Sequence, residues 1–144
     1  MTRQNYTKAC YTVSIEVPKP AADVFQLMVD NIPAYWPEEM EGKASALGDE
    51  FIFRTGDAHY SKSKVVEFVP GEKFVWLVTD SIRKTDGFEW TGTRMIYELS
   101  EKDKGTQISF TYDGPVFENE VELLEQVCDF CIKEKLQNFL TNAK

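Results

Sequence analysis

The sequence has few of the residues that build metal sites and nucleophilic catalysts. It contains a single histidine, His59, and three cysteines, Cys10, Cys128 and Cys131. A zinc site needs four ligands, and a nucleophilic triad needs a base beside a serine or cysteine. The spacing Cys128-x-x-Cys131 falls inside a long helical pattern, whereas a redox pair lies at the start of a helix. We therefore expect no metal, no cofactor and no catalytic residues of these kinds, and interpret both cysteines as small residues on a buried helix face.

Long hydrophobic runs and excess positive charge are also missing. No apolar run approaches the ~20 residues that a membrane span needs, and 16 Lys and Arg stand against 24 Asp and Glu, a net charge of −8. Nucleic acids and anionic membranes both require clustered cations, so they are excluded as main partners. No apolar export segment opens the sequence, and an odd number of cysteines is typical of a reducing compartment. We expect a cytoplasmic protein.

Aromatic residues are what the sequence has in quantity: ten Phe, six Tyr and three Trp. A chain of 144 residues is typical of one domain. We expect residues 1–144 to form that domain, with 1–9 frayed. A domain of this size buries about 70% of the surface of its unfolded chain. The rings either fill a core or line a pocket, and the sequence leaves both open.

Alternating apolar and polar side chains indicate strands through most of the sequence. Residues 11–17 form the first, Pro18 ends it, and Pro20 is placed to open a helix. A second short helix or turn is expected near Tyr35-Trp36-Pro37. The later strands are predicted at 51–54, 59–69, 73–79, 94–99 and 107–112, with turns at 56–57, 70–71 and 104–105 and a longer loop over 80–88. Short strands joined by short turns indicate an antiparallel meander.

A helical pattern occupies the end of the sequence, from Asn119 to about Asn142. Asn119 followed by Glu122 is typical of a capping box. About 24 residues make a helix roughly 36 Å long, which matches the width of six or seven strands at about 4.8 Å each. The sequence thus predicts an α+β helix-grip fold. A curved antiparallel sheet of about six to seven strands wraps around a long C-terminal helix, with two short helices after the first strand.

Several short motifs, in their order and spacing, resemble the START-like (SRPBCC) superfamily. They are IEVPKPAADVF at 15–25, GDEFIF at 48–53, VVEFVPGEKFVW at 65–76, GTRM at 92–95 and GTQI at 105–108. Within that superfamily the sequence looks like the branch of homologues of the activator of the heat-shock-protein-90 ATPase. The resemblance implies a hydrophobic cavity between sheet and helix that binds lipids, sterols or polyketide-like molecules. Some members cyclise or hydroxylate aromatic molecules, and the eukaryotic activator uses the fold to bind a protein.

Candidate ligand-binding residues follow from strand alternation and helical spacing. The inward sheet face is predicted to carry Phe53, Phe74, Trp76, Val78, Met95, Tyr97, Phe110 and Tyr112, and the buried helix stripe to carry Val121, Leu124, Cys128, Cys131, Ile132 and Phe139. The hydroxyls of Tyr97 and Tyr112 each need a partner in an apolar layer. Lys135 falls beside the stripe, where it either extends to solvent or pairs with an anionic group of a ligand. The resemblance implies that Trp36 lies at the entrance, where it either gates a pocket or fills the core.

From these sets we predict eleven ligand contacts. They are Trp36, Phe53, Trp76, Val78, Met95, Tyr97, Phe110, Tyr112, Cys128, Cys131 and Lys135. The opposite sheet face is predicted to carry Val66, Phe68, Val75, Leu77 and Ile96, although one bulge near Val65 would exchange the faces.

Three functions remain open on the sequence alone. The first is non-enzymatic binding of a small hydrophobic or aromatic molecule by a START-like domain. The second is a protein-binding module that acts on a heat-shock chaperone. The third is an aromatic cyclase or dehydratase that uses tyrosine and acidic side chains as general acid and base. We expect a monomer or a weak homodimer in each case.

Overall fold

The computed structural model describes residues 6–36, 39–55, 59–83, 91–103 and 105–143. Within these residues the strands are β1 (Tyr6–Val17), β2 (Glu39–Gly42), β3 (Glu50–Thr55), β4 (His59–Val69), β5 (Lys73–Arg83), β6 (Arg94–Lys102) and β7 (Gly105–Phe117). Helix α1 (Ala21–Asp30) and a 3-10 turn (Ile32–Ala34) follow β1, and a second 3-10 turn (Glu118–Glu120) leads into the C-terminal helix.

All seven strands form one antiparallel sheet in the order β1-β7-β6-β5-β4-β3-β2. The chain therefore runs from β2 to β7 as a meander, and β1 returns to pair with β7 along its whole length. The helices pack on one face of this sheet. The α+β helix-grip prediction is confirmed.

Strand alternation determines which side chains face the helices. One cross-strand row joins Phe68, Phe74, Tyr97, Phe110 and Val13, and the next joins Val65, Trp76, Met95 and Tyr112. All but Phe68, which is half-buried, are buried. The expected apolar face thus exists and is built mainly of rings.

A bulge in β4 changes the predicted outer face. The register between β4 and β5 shifts between Val65 and Glu67, so Phe68 faces inward. Its ring packs edge-on against Phe25 of α1, with 5.2 Å between ring centroids. The placement of Phe68 on the outer face was therefore wrong, whereas Val75 and Ile96 pair there as expected.

The strands differ from the sequence prediction in several places. β1 begins at Tyr6, within the residues that we expected to be frayed. β2 was not predicted, because Glu39-Met40-Glu41-Gly42 lacks apolar alternation; it is a short, charged edge strand. β5 continues to Arg83, through residues that we expected in a loop. A second register shift, opposite Lys62 and Ser63, interrupts the apolar alternation of β5, so the sequence pattern predicted too early an end. β7 extends to Phe117. The predicted turn at 56–57 and residues 84–90 lie outside the described part of the chain.

The C-terminal helix is continuous but has three segments: an α-helix (Val121–Asp129), a π-helix (Phe130–Leu136) and a final α-helix (Gln137–Asn142). Its end near Asn142 is confirmed. The capping box at Asn119 was wrong, since the preceding 3-10 turn runs directly into the helix. Position 119 lies inside a helical turn, and no side chain caps the first α segment.

The π segment sets which side of the helix is buried. Cys128, Ile132, Leu136 and Leu140 are buried and recur every four residues. In a regular α-helix this spacing drifts by about 40° per turn, but the wider turns of a π-helix absorb the drift. As a result Leu136 faces the sheet and Lys135 is exposed.

A hydrogen bond ties the first α segment to the edge strand. Tyr11 Oη donates to Asp129 Oδ1 at 2.8 Å, joining β1 to the C-terminal helix. This hydrogen bond, with burial and the charge of Asp129, raises the pKa of Tyr11 from 10.0 to about 12. The neutral phenol is therefore the form that stabilises the fold.

We expect Tyr11→Phe to lower the free energy of unfolding at pH 7 by about 1 kcal/mol, the usual net value of one hydrogen bond. Because the folded-state pKa is raised, this contribution is present below pH 10 and disappears as the pH rises toward 12. Urea unfolding of both proteins at several pH values measures the difference. A difference that stays constant from pH 8 to pH 11.5 would contradict the assignment.

Candidate functional site

The site is a set of aromatic rings between the sheet and the helices, which we term the aromatic cluster. Its members are Trp36, Phe51, Phe53, Phe74, Trp76, Tyr97 and Phe110. Trp76 lies at the centre, with ring centroids 5.2 Å from Phe51 and 5.0 Å from Tyr97. Tyr97 in turn stacks on Phe74 at 4.6 Å. These distances are typical of directly packed rings.

Trp36 forms the rim of this cluster. It follows the 3-10 turn, is half-buried, and stacks on Phe53 with 5.1 Å between centroids and 24° between planes. Its edge also meets Trp76 at 5.8 Å. Trp36 thus lies where the interior reaches the surface, and both roles considered for it remain compatible with this position.

Three buried polar atoms at this site have no hydrogen-bond partner within the described residues. They are Trp76 Nε1, Tyr97 Oη and Thr93 Oγ1. All three residues have an exposed fraction of 0%. Each unpaired group costs about 1–3 kcal/mol of stability, and folded proteins seldom leave such groups unpaired. Trp76 and Tyr97 lie on the inward face of the sheet, and Thr93 lies just before β6.

Tyr97 is held as a neutral hydroxyl. Burial, and to a smaller degree Tyr35, Cys131 and Cys128, raise the pKa of Tyr97 well above its ordinary value. A neutral phenol can donate one hydrogen bond and accept others. Its environment suits recognition of a polar atom and does not suit proton transfer near neutral pH.

Two other tyrosines at the site have the partner that Tyr97 lacks. Tyr112 Oη donates to the carbonyl of Pro115 at 2.6 Å. Tyr35 Oη donates to the carbonyl of Met28 at 2.9 Å. The sequence prediction treated Tyr97 and Tyr112 alike, but the carbonyl of Pro115 in β7 pairs only the second.

One end of the inward face carries small side chains in place of rings. Ser61 lies directly opposite Ser81 across β4 and β5, and Thr93, just before β6, lies against Gly114 of β7. The residues other than glycine here are buried. A Cβ atom at Gly114 would overlap the side chain of Thr93. This end of the inward face therefore carries fewer rings than the rows beside α1.

The C-terminal helix contributes an apolar, unreactive wall. Cys128, Cys131 and Ile132 are buried. Burial, with smaller effects of neighbouring acidic groups, raises the pKa of the Cys128 thiol to about 12, so that it is not a nucleophile near neutral pH. Lys135 is on the exposed side, with its ammonium 5.6 Å from the centre of the Phe130 ring.

No buried carboxylate occurs in the described ranges; their buried polar side chains are serines and threonines. Nor do His, Cys, Asp and Glu gather there in a group of three or more that could hold a metal. Across the same ranges, no helix is both long and apolar enough to cross a membrane.

The family assignment rests on most of the sequence. Residues 18–141 match the family model described as activator of Hsp90 ATPase homolog 1-like protein. The chain belongs to this family. No curated protein is significantly similar to it.

Solved structures of low sequence identity share the fold of this Hsp90-activator-like protein. The Aha1 dimer from Colwellia psychrerythraea is 16% identical with a TM-score of 0.72, and the alignment covers 94% of this chain and 98% of that one. DynU16, from the dynemicin biosynthetic locus, is 19% identical with a TM-score of 0.70, over 94% of this chain and 48% of DynU16. CalU16 from Micromonospora echinospora is 10% identical with a TM-score of 0.67, over 98% and 86%. Likeness at these identities establishes the fold alone.

Sequence reasoning missed four residues of the site in this family member. Phe51 is two residues from Phe53 and lies on the same face of β3. Strand alternation could therefore have predicted it. Thr93 lies just before β6, where alternation had not begun. Tyr35 follows the 3-10 turn, which was expected as a short helix or turn although the direction of its ring was not. Leu136 depends on the π-helix, for which the sequence held no clear signal.

Proposed function

We propose that this protein binds a small, mainly apolar molecule that carries carbonyl or hydroxyl oxygens, between the sheet and the C-terminal helix. The observation that carries the proposal is the set of three unpartnered polar atoms, Trp76 Nε1, Tyr97 Oη and Thr93 Oγ1. The indole N–H can only donate, whereas the two hydroxyls donate and accept. A ligand oxygen that accepts hydrogen bonds from the Trp76 N–H and the Tyr97 O–H would give both groups a partner.

The walls of the proposed site come from the predicted apolar contacts. Phe53, Val78, Met95 and Phe110 on the sheet and Cys128 and Cys131 on the helix are buried and apolar, and Trp36 lies at the rim. We assign no ligand contact to Lys135, because its ammonium lies outside over Phe130. Tyr112 keeps its hydrogen bond to Pro115 and contributes its ring alone.

The proposed role is binding without catalysis. General acid–base chemistry near neutral pH needs a group that titrates there, but the pKa values of Tyr97 and Cys128 are raised away from this range. DynU16, which shares this fold, comes from the dynemicin biosynthetic locus, which supports a small molecule as the ligand.

A pair of matched ligands tests the proposal. Flavone carries a ring oxygen and a carbonyl oxygen, whereas 2-phenylnaphthalene has a similar shape without oxygen. We expect flavone to bind at a ratio of one to one and about tenfold more tightly, since about 1.4 kcal/mol separates a paired from an unpaired buried group. Native mass spectrometry and NMR titration measure both affinities, with fatty acids and sterols as further probes. Stimulation of an Hsp90 ATPase without any ligand response would overturn the proposal in favour of a chaperone-binding role.

A further inference from the structure

The C-terminal helix has a second apolar side that faces away from the sheet. Leu123, Val127 and Phe130 follow one another at four- and three-residue spacing, which places them on one side of a helix. Their exposed fractions are 52%, 49% and 44%. We call these three residues the exposed helix stripe. Three large apolar side chains in a row differ from the single exposed apolar residues that a monomer surface normally carries.

The charges around the exposed helix stripe differ at its two ends. Glu118, Glu120 and Glu122 precede it. Lys133 and Lys135 follow it with Glu134 between them, so that this end carries a small net positive charge. Acidic groups near the start of a helix and basic groups near its end also agree with the helix dipole. A surface of this kind is complementary to itself when two copies run in opposite directions.

We propose that the exposed helix stripe is the contact between two copies of this chain, arranged antiparallel about a two-fold axis at Val127. The stripe from Leu123 to Phe130 is about 10 Å long, with Val127 near its middle, so that Leu123 of each copy lies close to Phe130 of the other. The same arrangement brings Lys133 and Lys135 beside residues 118–122 of the second copy. Two-fold contacts of this self-complementary kind are the commonest in homo-oligomers.

A second copy is favoured over other partners because, when two copies run in opposite directions, the acidic end of each lies beside the lysines of the other. A purely basic partner helix would meet Lys133 and Lys135 at one end, and an acidic one would meet residues 118–122 at the other. The contact is small, with three apolar side chains from each copy. We therefore expect a weak dimer with a dissociation constant between about 10 µM and 1 mM. This contact is independent of the proposed ligand site, which lies on the opposite side of the helix.

Sedimentation equilibrium measures the association. We expect Val127→Arg to raise the dissociation constant at least tenfold, because it sets two like charges together at the axis. Leu47→Arg is the matched control: Leu47 is 65% exposed and lies away from the helix, so this variant should associate as the wild type does. Lys133→Glu should weaken the dimer, and adding Glu120→Lys to the same chain should restore it.

Cross-linking tests the geometry separately. In a Cys10→Ser background, Val127→Cys places a thiol on the axis, so mild oxidation should give a disulfide-linked dimer. Leu47→Cys in the same background should stay monomeric. A wild-type protein that is monomeric at 1 mM, or equal cross-linking of the two cysteine variants, would overturn the proposal.

Discussion

Replacing Tyr97 with phenylalanine is expected to stabilise the ligand-free protein by about 1–2 kcal/mol and to weaken ligand binding about tenfold. The stabilisation follows because the variant removes a buried hydroxyl that has no partner among the described residues, and with it the free-energy cost of taking that group out of water. The ring and its contacts with Phe74 and Trp76 remain. The loss of affinity follows if the same hydroxyl binds a ligand oxygen. Urea unfolding and the flavone titration measure the two effects.

Tyr112→Phe is the matched control, because it removes a buried hydroxyl that is already paired. Its bond to Pro115 is lost, so this variant should be less stable by about 1 kcal/mol and should bind flavone unchanged. Tyr35→Phe should also be destabilised, since its hydroxyl donates to Met28. If Tyr97→Phe is destabilised as strongly as these two, its hydroxyl has a permanent partner and the site assignment is wrong.

Replacing Leu136 with alanine is expected to lower the free energy of unfolding by about 3 kcal/mol, within the range for deletion of a buried leucine side chain. Leu136 has an exposed fraction of 0% because the π segment turns it toward the sheet. Lys135→Ala, one residue away and exposed, should change stability by less than about 0.5 kcal/mol.

Chemical unfolding of these two variants tests the register of the helix. A regular α-helix would place position 135 beside Cys128 and Ile132 on the buried stripe, as the sequence analysis considered. If Lys135→Ala is the more destabilised of the two, the π-helix is wrong. The helix would then present a different wall to the proposed ligand site.

The fold follows from the sequence where local patterns are regular. Alternation from Met95 to Leu99 and from Ile108 to Tyr112 gives the face and the register of β6 and β7, because each residue repeats the geometry of the one two before it. The same regularity placed Tyr97 and Phe110 inside. Local rules failed where an extra residue shifts the phase, as at the β4 bulge and in the π-helix.

The site was only partly predictable for a different reason. Which rings face inward is a local property, but whether a polar atom finds a partner depends on the whole surrounding structure. Tyr112 meets the carbonyl of Pro115 three residues further along β7, and Thr93 lies against Gly114 of the same strand. No pattern within one strand distinguishes Tyr97 from Tyr112, so the structure was needed to separate them.

The proposal depends most directly on the indole N–H of Trp76. In a ¹H–¹⁵N spectrum this group gives a side-chain resonance that Trp76→Phe identifies by its loss. On titration with flavone we expect the resonance to shift and saturate at one equivalent, because a ligand oxygen accepts a hydrogen bond from Trp76 Nε1, which has no partner within the described residues. An unchanged Trp76 resonance at saturating flavone, while other resonances shift, would contradict the assignment of this site.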